Sequence, residues 1–94
     1  MTLHVKFPNN EVFQIPIDVI ANDRTKYYSK IDGFKEGSLE WQEEYKLSLV
    51  PGEVFDWVQN NMDWEDVKQY AVKMDVPIVT DYDKMWHGAS FDIN

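Results

Sequence analysis

Few residues in this chain are of a type and spacing that could do chemistry. Of its two histidines, only His87 has acidic company, with Asp83 four positions before it and Asp81 close by. On a helix, Asp83 and His87 would share a face, as an acid–base pair or two metal ligands must. A transition-metal site wants three or four ligands held by outer hydrogen bonds, and one imidazole among carboxylates falls short of that. The spacing therefore reads as a histidine placed in a last helical turn, where a cation suits the negative helix end. His4 falls on the polar side of an alternating strand. Ser29, Ser38, Ser48 and Ser90 lie in no nucleophile-elbow or triad context, and cysteine is absent. Gly33, Gly37, Gly52 and Gly88 are isolated, so no phosphate-cradling loop is formed. Asp81-Tyr82-Asp83 lacks the later ligands of a calcium loop. Adjacent carboxylates such as Glu43-Glu44 and Glu65-Asp66 read as a solvated face. The expectation is a protein without catalytic residues, without a metal site and without a cofactor.

Aromatic residues point elsewhere. Four tryptophans, five tyrosines and five phenylalanines are many for 94 residues. Trp and Tyr are common anchors at protein interfaces. Trp57 and Trp64 flank the Asn60-Asn61 corner, and Trp86 stands near the end of the chain. These three, with Tyr82, are the expected interface residues, one or more of them forming an exposed apolar patch. The competing reading places all the tryptophans in the core, since Trp is highly buried on average.

The elements that would position these residues are legible in the spacing. Leu3, Val5 and Phe7 alternate with Thr2, His4 and Lys6, the pattern of a half-buried strand. Pro8-Asn9-Asn10 turns the chain, and Glu11 to Ile15 returns with Phe13 and Ile15 on one side, giving a β-hairpin over residues 1–16. Pro16 starts a helix over 17–31, with Ile17, Ile20, Ala21, Arg24, Tyr27 or Tyr28 and Ile31 on its inner side. Asp32-Gly33 stops it. Ser38 caps a second helix over 38–49, marked by Trp41, Tyr45 and Leu49. Pro51-Gly52 opens a third helix over 53–61. Asn60-Asn61 ends it by offering competing side-chain hydrogen bonds. Asp63 caps a fourth helix, 63–74, along which Trp64, Val67, Ala71 and Met74 form an apolar stripe.

Residues 76–94 read as an extended segment at Val76-Pro77, a short helix from Asp81 to His87, and a tail. Thr80 and Asp83 resemble a capping box, and Gly88 is placed in a left-handed cap. The tail is loose unless Phe91 and Ile93 dock. The fold class is α+β: one compact domain, 1–94, with an N-terminal antiparallel β-hairpin packed against three or four short helices.

Composition bounds the setting. With 44% hydrophobic residues the chain has enough apolar surface for a core. The net charge of -8 argues against direct binding of nucleic acid or an anionic membrane. Six basic and eight acidic residues lie in 1–52, against three and nine in 53–94, so the acidity concentrates in the second half. The absence of cysteine, of a membrane span and of a signal-peptide core suits a cytoplasmic protein.

The stretches VKFPNNEVFQIPIDVIANDRTKYYS and DWVQNNMDWEDVKQYAVKM resemble small proteins encoded by marine tailed phages, particularly those infecting cyanobacteria. The resemblance covers most of the chain and brings no catalytic motif. It implies a cytoplasmic setting in an infected bacterium and an accessory factor acting on a host or phage protein. Two functions follow as expectations. The first is a non-catalytic module that binds another protein or itself, as a homodimer. The second is an acidic mimic of nucleic acid that blocks a DNA-binding protein. The mimic would need Glu40, Glu43, Glu44, Asp56, Asp63, Glu65 and Asp66 at phosphate-like spacing.

Overall fold

The computed structural model describes residues 1–74 and 86–93. The hairpin forms as expected, with strands β1 (Thr2–Lys6) and β2 (Val12–Pro16). Its register pairs Leu3 with Ile15 and Val5 with Phe13, so the apolar alternation of both strands meets on one face. Phe7 and Glu11 close the turn through Phe7 N–H to Glu11 O at 2.9 Å. Asn10 adopts φ 69°, a left-handed conformation that asparagine tolerates better than most residues. The Asn9 carboxamide oxygen accepts from Glu11 N–H at 3.1 Å, fixing the turn from the side.

Pro16 has φ -58° and leads directly into α1 (Ile17–Asp32). Pro supplies helical φ and lacks a donor that the first turn could not satisfy anyway. Gly33, at φ 75°, ends α1 by donating to Ser29 O at 2.9 Å. The second helix, α2 (Leu39–Ser48), opens with Ser38 Oγ accepting from Trp41 N–H at 3.2 Å. Pro51 and Gly52 sit inside the first turn of α3 (Pro51–Asn61), two residues earlier than expected, because Pro is compatible with that turn. Asn60 turns its side chain back to Asp56 O at 3.0 Å and Asp56 Oδ1 at 2.9 Å. Met62 is extended, and α4 (Trp64–Val67) follows, with Asp66 Oδ2 accepting from Asp63 N–H at 2.8 Å.

The fourth helix is where sequence and structure part. A helix over 63–74 is not formed. After one turn of α4 the chain tightens into a 3₁₀ turn, Lys68–Tyr70, and then becomes a short strand, β3 (Val72–Lys73). It pairs antiparallel with β2, with Phe13 opposite Lys73, and Met74 N–H donates to Val12 O at 2.9 Å. The strand also places the Lys73 ammonium on the Glu11 carboxylate, which is 1% exposed. Continuing the helix would withdraw that cation from a buried anion and leave the β2 edge open, two costs that outweigh local helix preference.

The tail is not loose. Ser90–Ile93 forms β4, antiparallel to β1, with Phe91 opposite Val5 and Ile93 opposite Leu3. The sheet is thus four-stranded and antiparallel, in the order β3-β2-β1-β4. Before β4, Trp86–Gly88 makes a 3₁₀ turn. Gly88 does not take the left-handed conformation expected of it; a Cβ there would stand 3.2 Å from the Pro8 ring, so close approach is its reason. The extended Val76-Pro77, the Thr80/Asp83 cap, the Asp81–Asp83 acidic group and Tyr82 lie outside the described residues.

One face of the sheet carries Leu3, Val5, Phe7, Phe13 and Ile15, packed against Ile17, Ile20, Val54, Trp57, Val58, Met62, Trp64, Val67 and Trp86. This is the core: helices on one side of an antiparallel sheet, an α+β architecture. Thr2, His4, Lys6, Val12 and Gln14 alternate onto the other face. Among the described residues no helix is long and apolar enough to cross a membrane.

Candidate interaction surface

The tryptophans do not form the expected patch. Trp57, Trp64 and Trp86 are all buried. Trp86 donates its indole N–H to Met62 O at 3.0 Å, and Trp57 donates to Asp23 Oδ2 at 2.8 Å. Trp64 meets Phe7 edge-on at 5.3 Å and Phe13 at 5.0 Å, while Trp86 meets Phe91 at 5.1 Å. Burial, the indole hydrogen bonds of Trp57 and Trp86, and the edge-to-face ring contacts of Trp64 and Trp86 make these three core anchors. Tyr82, the fourth expected residue, is outside the described part of the chain. Trp41, which the sequence did not favour, is the tryptophan left partly exposed.

Trp41 belongs to a segment that touches the core at its base, where Tyr27 and Tyr28 pack on Trp57, and holds no buried residue of its own. From Lys26 to Leu47 no residue is buried, although the segment contains Tyr27, Tyr28, Ile31, Phe34, Leu39, Trp41, Tyr45 and Leu47. Buried residues on α1 stop at Thr25, and on α2 only Ser48 is buried. The outer part of the α1–α2 hairpin is therefore an arm beyond the core. The overall dimensions agree: 43 × 23 × 20 Å, with a radius of gyration of 14.1 Å. A compact chain of this size would have a radius of about 13 Å.

A buried polar joint fixes the arm at its base. Arg24 is 7% exposed. Its Nη1 donates to Ser48 Oγ at 2.9 Å and lies 3.5 Å from Glu44 Oε1, and its Nη2 donates to Glu53 Oε2 at 3.2 Å. The guanidinium also stacks over the Tyr28 ring, 4.7 Å from its centre. Thr25 Oγ1 donates to Ala21 O at 2.7 Å and Ser48 Oγ to Glu44 O at 2.8 Å, which leaves Ser48 Oγ free to accept from Arg24. One cation thus ties α1 to α2 and α3. Its inward position was readable from the helical spacing, but its partners were not.

Two rows of side chains run outward from this joint. On α1, Arg24, Tyr27, Tyr28 and Ile31 share a side at helical spacing. On α2, Glu40, Glu44 and Leu47 share a side, and the Arg24–Glu44 contact turns the two rows towards each other. Tyr27 packs on Trp57 at 5.2 Å with half its surface exposed, and Ile31, one turn further, is 60% exposed. The inner stripe of α1 outruns the helix that covers it, so Ile31, expected inside, is out. Glu40 shares a recess with Asp32 and Gly33 at the end of α1.

On another side of the arm, Asn22, Gly37, Trp41, Gln42, Tyr45 and Lys46 line a shallow recess of about 420 Å³. Partial burial, and secondarily the Asp18 carboxylate, push the Tyr45 phenol above its ordinary pKa of 10.0. A wider groove of about 450 Å³ between α1 and the α3–α4 corner is lined by Asp18, Asp23, Lys26, Met62, Asp66 and Tyr70. Among the described residues no three His, Asp or Glu side chains are grouped to hold a metal ion. His87 is exposed at the 3₁₀ turn, and His4 Nε2 lies 3.3 Å from Gln14 Nε2 on the sheet face opposite the core.

One buried charged pair escaped the sequence reading: Glu11 with Lys73. Period-two alternation already places Glu11 on the inward side with Phe13 and Ile15, a signal that an inward anion needs a cation. Which cation was not readable, because Lys73 arrives from a strand that forms only by pairing with β2. Compared with known proteins, the chain matches no family model, no curated protein and no solved structure.

Proposed function

We propose that this is a non-catalytic protein-interaction module acting in the cytoplasm, with the α1–α2 arm as its contact surface. The observation that carries the reading is the unburied segment from Lys26 to Leu47, which spends Tyr27, Ile31, Leu39, Trp41, Tyr45 and Leu47 outside the core. Leu39 is 74% exposed at the start of α2 and stands outside the core cluster. Large apolar side chains gathered on one projecting element mark interaction sites more often than scattered ones do. The interface residues are then Tyr27, Ile31, Leu39 and Trp41, in place of Trp57, Trp64 and Trp86. An accessory factor acting on a host or phage protein, as the phage resemblance implies, fits such a module.

The nucleic-acid mimic has less support. Of the carboxylates it would need, Glu44 faces Arg24, Asp56 accepts from Asn60 and Asp66 caps α4. The experiment is capture from host lysate with the tagged chain and with its Ile31→Glu/Leu39→Glu variant. A partner held by the wild type and released by the variant is the expected result. A partner indifferent to these changes would sink the arm reading, and one that is also basic and lost in salt would favour the mimic.

A further inference from the structure

We infer that the inner side of the arm takes an amphipathic helix of a partner protein, seated by its apolar stripe and held by basic residues along its flank. The inference rests on the arm being the contact surface and names what covers it. The shape argument comes from α3. That helix lies along the inner side of α1 as far as the Tyr27–Trp57 contact, and beyond it Ile31 continues the same stripe uncovered. Leu47 stands on the matching side of α2 and is also exposed. A helix laid there would extend the α1–α3 packing by one more element, reading the surface through anchors at i, i+3 or i+4, and i+7.

The charge argument decides the partner. Asp32, Glu40, Glu44 and Glu53 border this side, against two cations: Lys35, which lines the recess with Asp32 and Glu40, and Arg24, which is buried and already engaged by Glu44 and Glu53. Lys26 and Lys30 fall about 160° and about 120° around α1 from Arg24, at i+2 and i+6, and so lie off this side. Lys26 accordingly lines the groove against Met62 and Asp66. The border is thus acidic, and the whole chain carries -8. Lysine or arginine on the incoming helix would complement the border. A second copy of this chain would bring the same carboxylates against it.

The test uses the full chain and two synthetic amphipathic peptides of about 15 residues, one built from leucine and lysine and one from leucine and glutamate. Binding is followed by calorimetry, and the oligomeric state by sedimentation velocity. The Leu/Lys peptide should bind one-to-one and the Leu/Glu peptide should not. Ile31→Glu should weaken the Leu/Lys peptide by roughly tenfold or more, and Glu40→Lys by a few-fold. Ile31→Glu is the decisive variant. It adds negative charge, so unspecific attraction of a basic peptide would hold or strengthen while seated binding collapses. Unchanged or tighter binding by Ile31→Glu would overturn the inference, as would equal binding of the two peptides. A dimer of the chain alone that Ile31→Glu disperses would overturn the basic helix as occupant while keeping the arm as the contact surface. Loss of the arm itself would show differently, as lysate partners that ignore the arm variants.

Discussion

The sheet-facing core and the arm are built from the same kinds of residue and use them in opposite ways. In the core, Trp57, Trp64 and Trp86 are enclosed by two or more elements each, and their rings meet Phe7, Phe13, Tyr27, Tyr28 and Phe91. On the arm, Trp41 and Tyr45 line a shallow recess with residues of α1, α2 and the loop between them, and Ile31 and Leu39 are more exposed still. Burial depends on how many elements converge on a side chain, and a two-helix hairpin offers one interface where a sheet with helices offers several. The comparison predicts that identical chemistry at the two places will have very different costs.

The largest effect is expected at Trp86→Ala, which removes a core anchor and its hydrogen bond to Met62. It should cost about 3–5 kcal/mol in denaturant unfolding, enough to threaten folding altogether. Next comes Lys73→Ala. It takes the cation away from the buried Glu11 carboxylate, which keeps the Asn9 side-chain amide as a donor, and should cost about 3 kcal/mol, with much of the loss recovered in the Glu11→Gln/Lys73→Met double variant. If Lys73→Ala proves harmless, β3 is not pinned by this pair. Ser38→Ala should cost about 1 kcal/mol by uncapping α2. Ile31→Ser and Leu39→Ser should move stability by no more than about 0.5 kcal/mol, since neither is buried. A loss near that of Trp86→Ala at either position would mean that the arm is part of the core after all.

The smallest effect concerns pH. The Tyr45 phenol is raised in the folded chain, so the stability it contributes is complete below its ordinary pKa of 10.0 and drains as pH climbs through and beyond that value. Tyr45→Phe should flatten the alkaline end of the stability profile, visible as a melting temperature less dependent on pH there. An unchanged alkaline slope would assign that region to other tyrosines and the lysines.

Much of the fold was legible because its signals are local. The hairpin follows from alternation on either side of Pro8-Asn9-Asn10, α1 from Pro16 and Gly33, α2 from Ser38, and the α3–α4 corner from Asn60-Asn61 and Asp63. Each depends on residues a few positions apart, whose backbone preferences and capping bonds act before any tertiary contact. The contact surface was less legible. Helical spacing put Arg24 inward correctly, yet the same spacing put Ile31 inward too, because a periodic stripe shows which side is apolar and not how far the covering element extends.

The sequence by itself determined the α+β class, the order and most boundaries of the helices, the hairpin and its apolar face, and the acidic character. Only the tertiary structure decided that residues 72–73 become a strand rather than the end of a helix, that Ser90–Ile93 closes the other sheet edge, and that Trp41 is left at the surface while the other three tryptophans go inside. The reason is the same in each case. Edge pairing, the neutralising of a buried Glu11 and the reach of a core are properties of segments far apart in the chain. Their energies exist only once those segments meet.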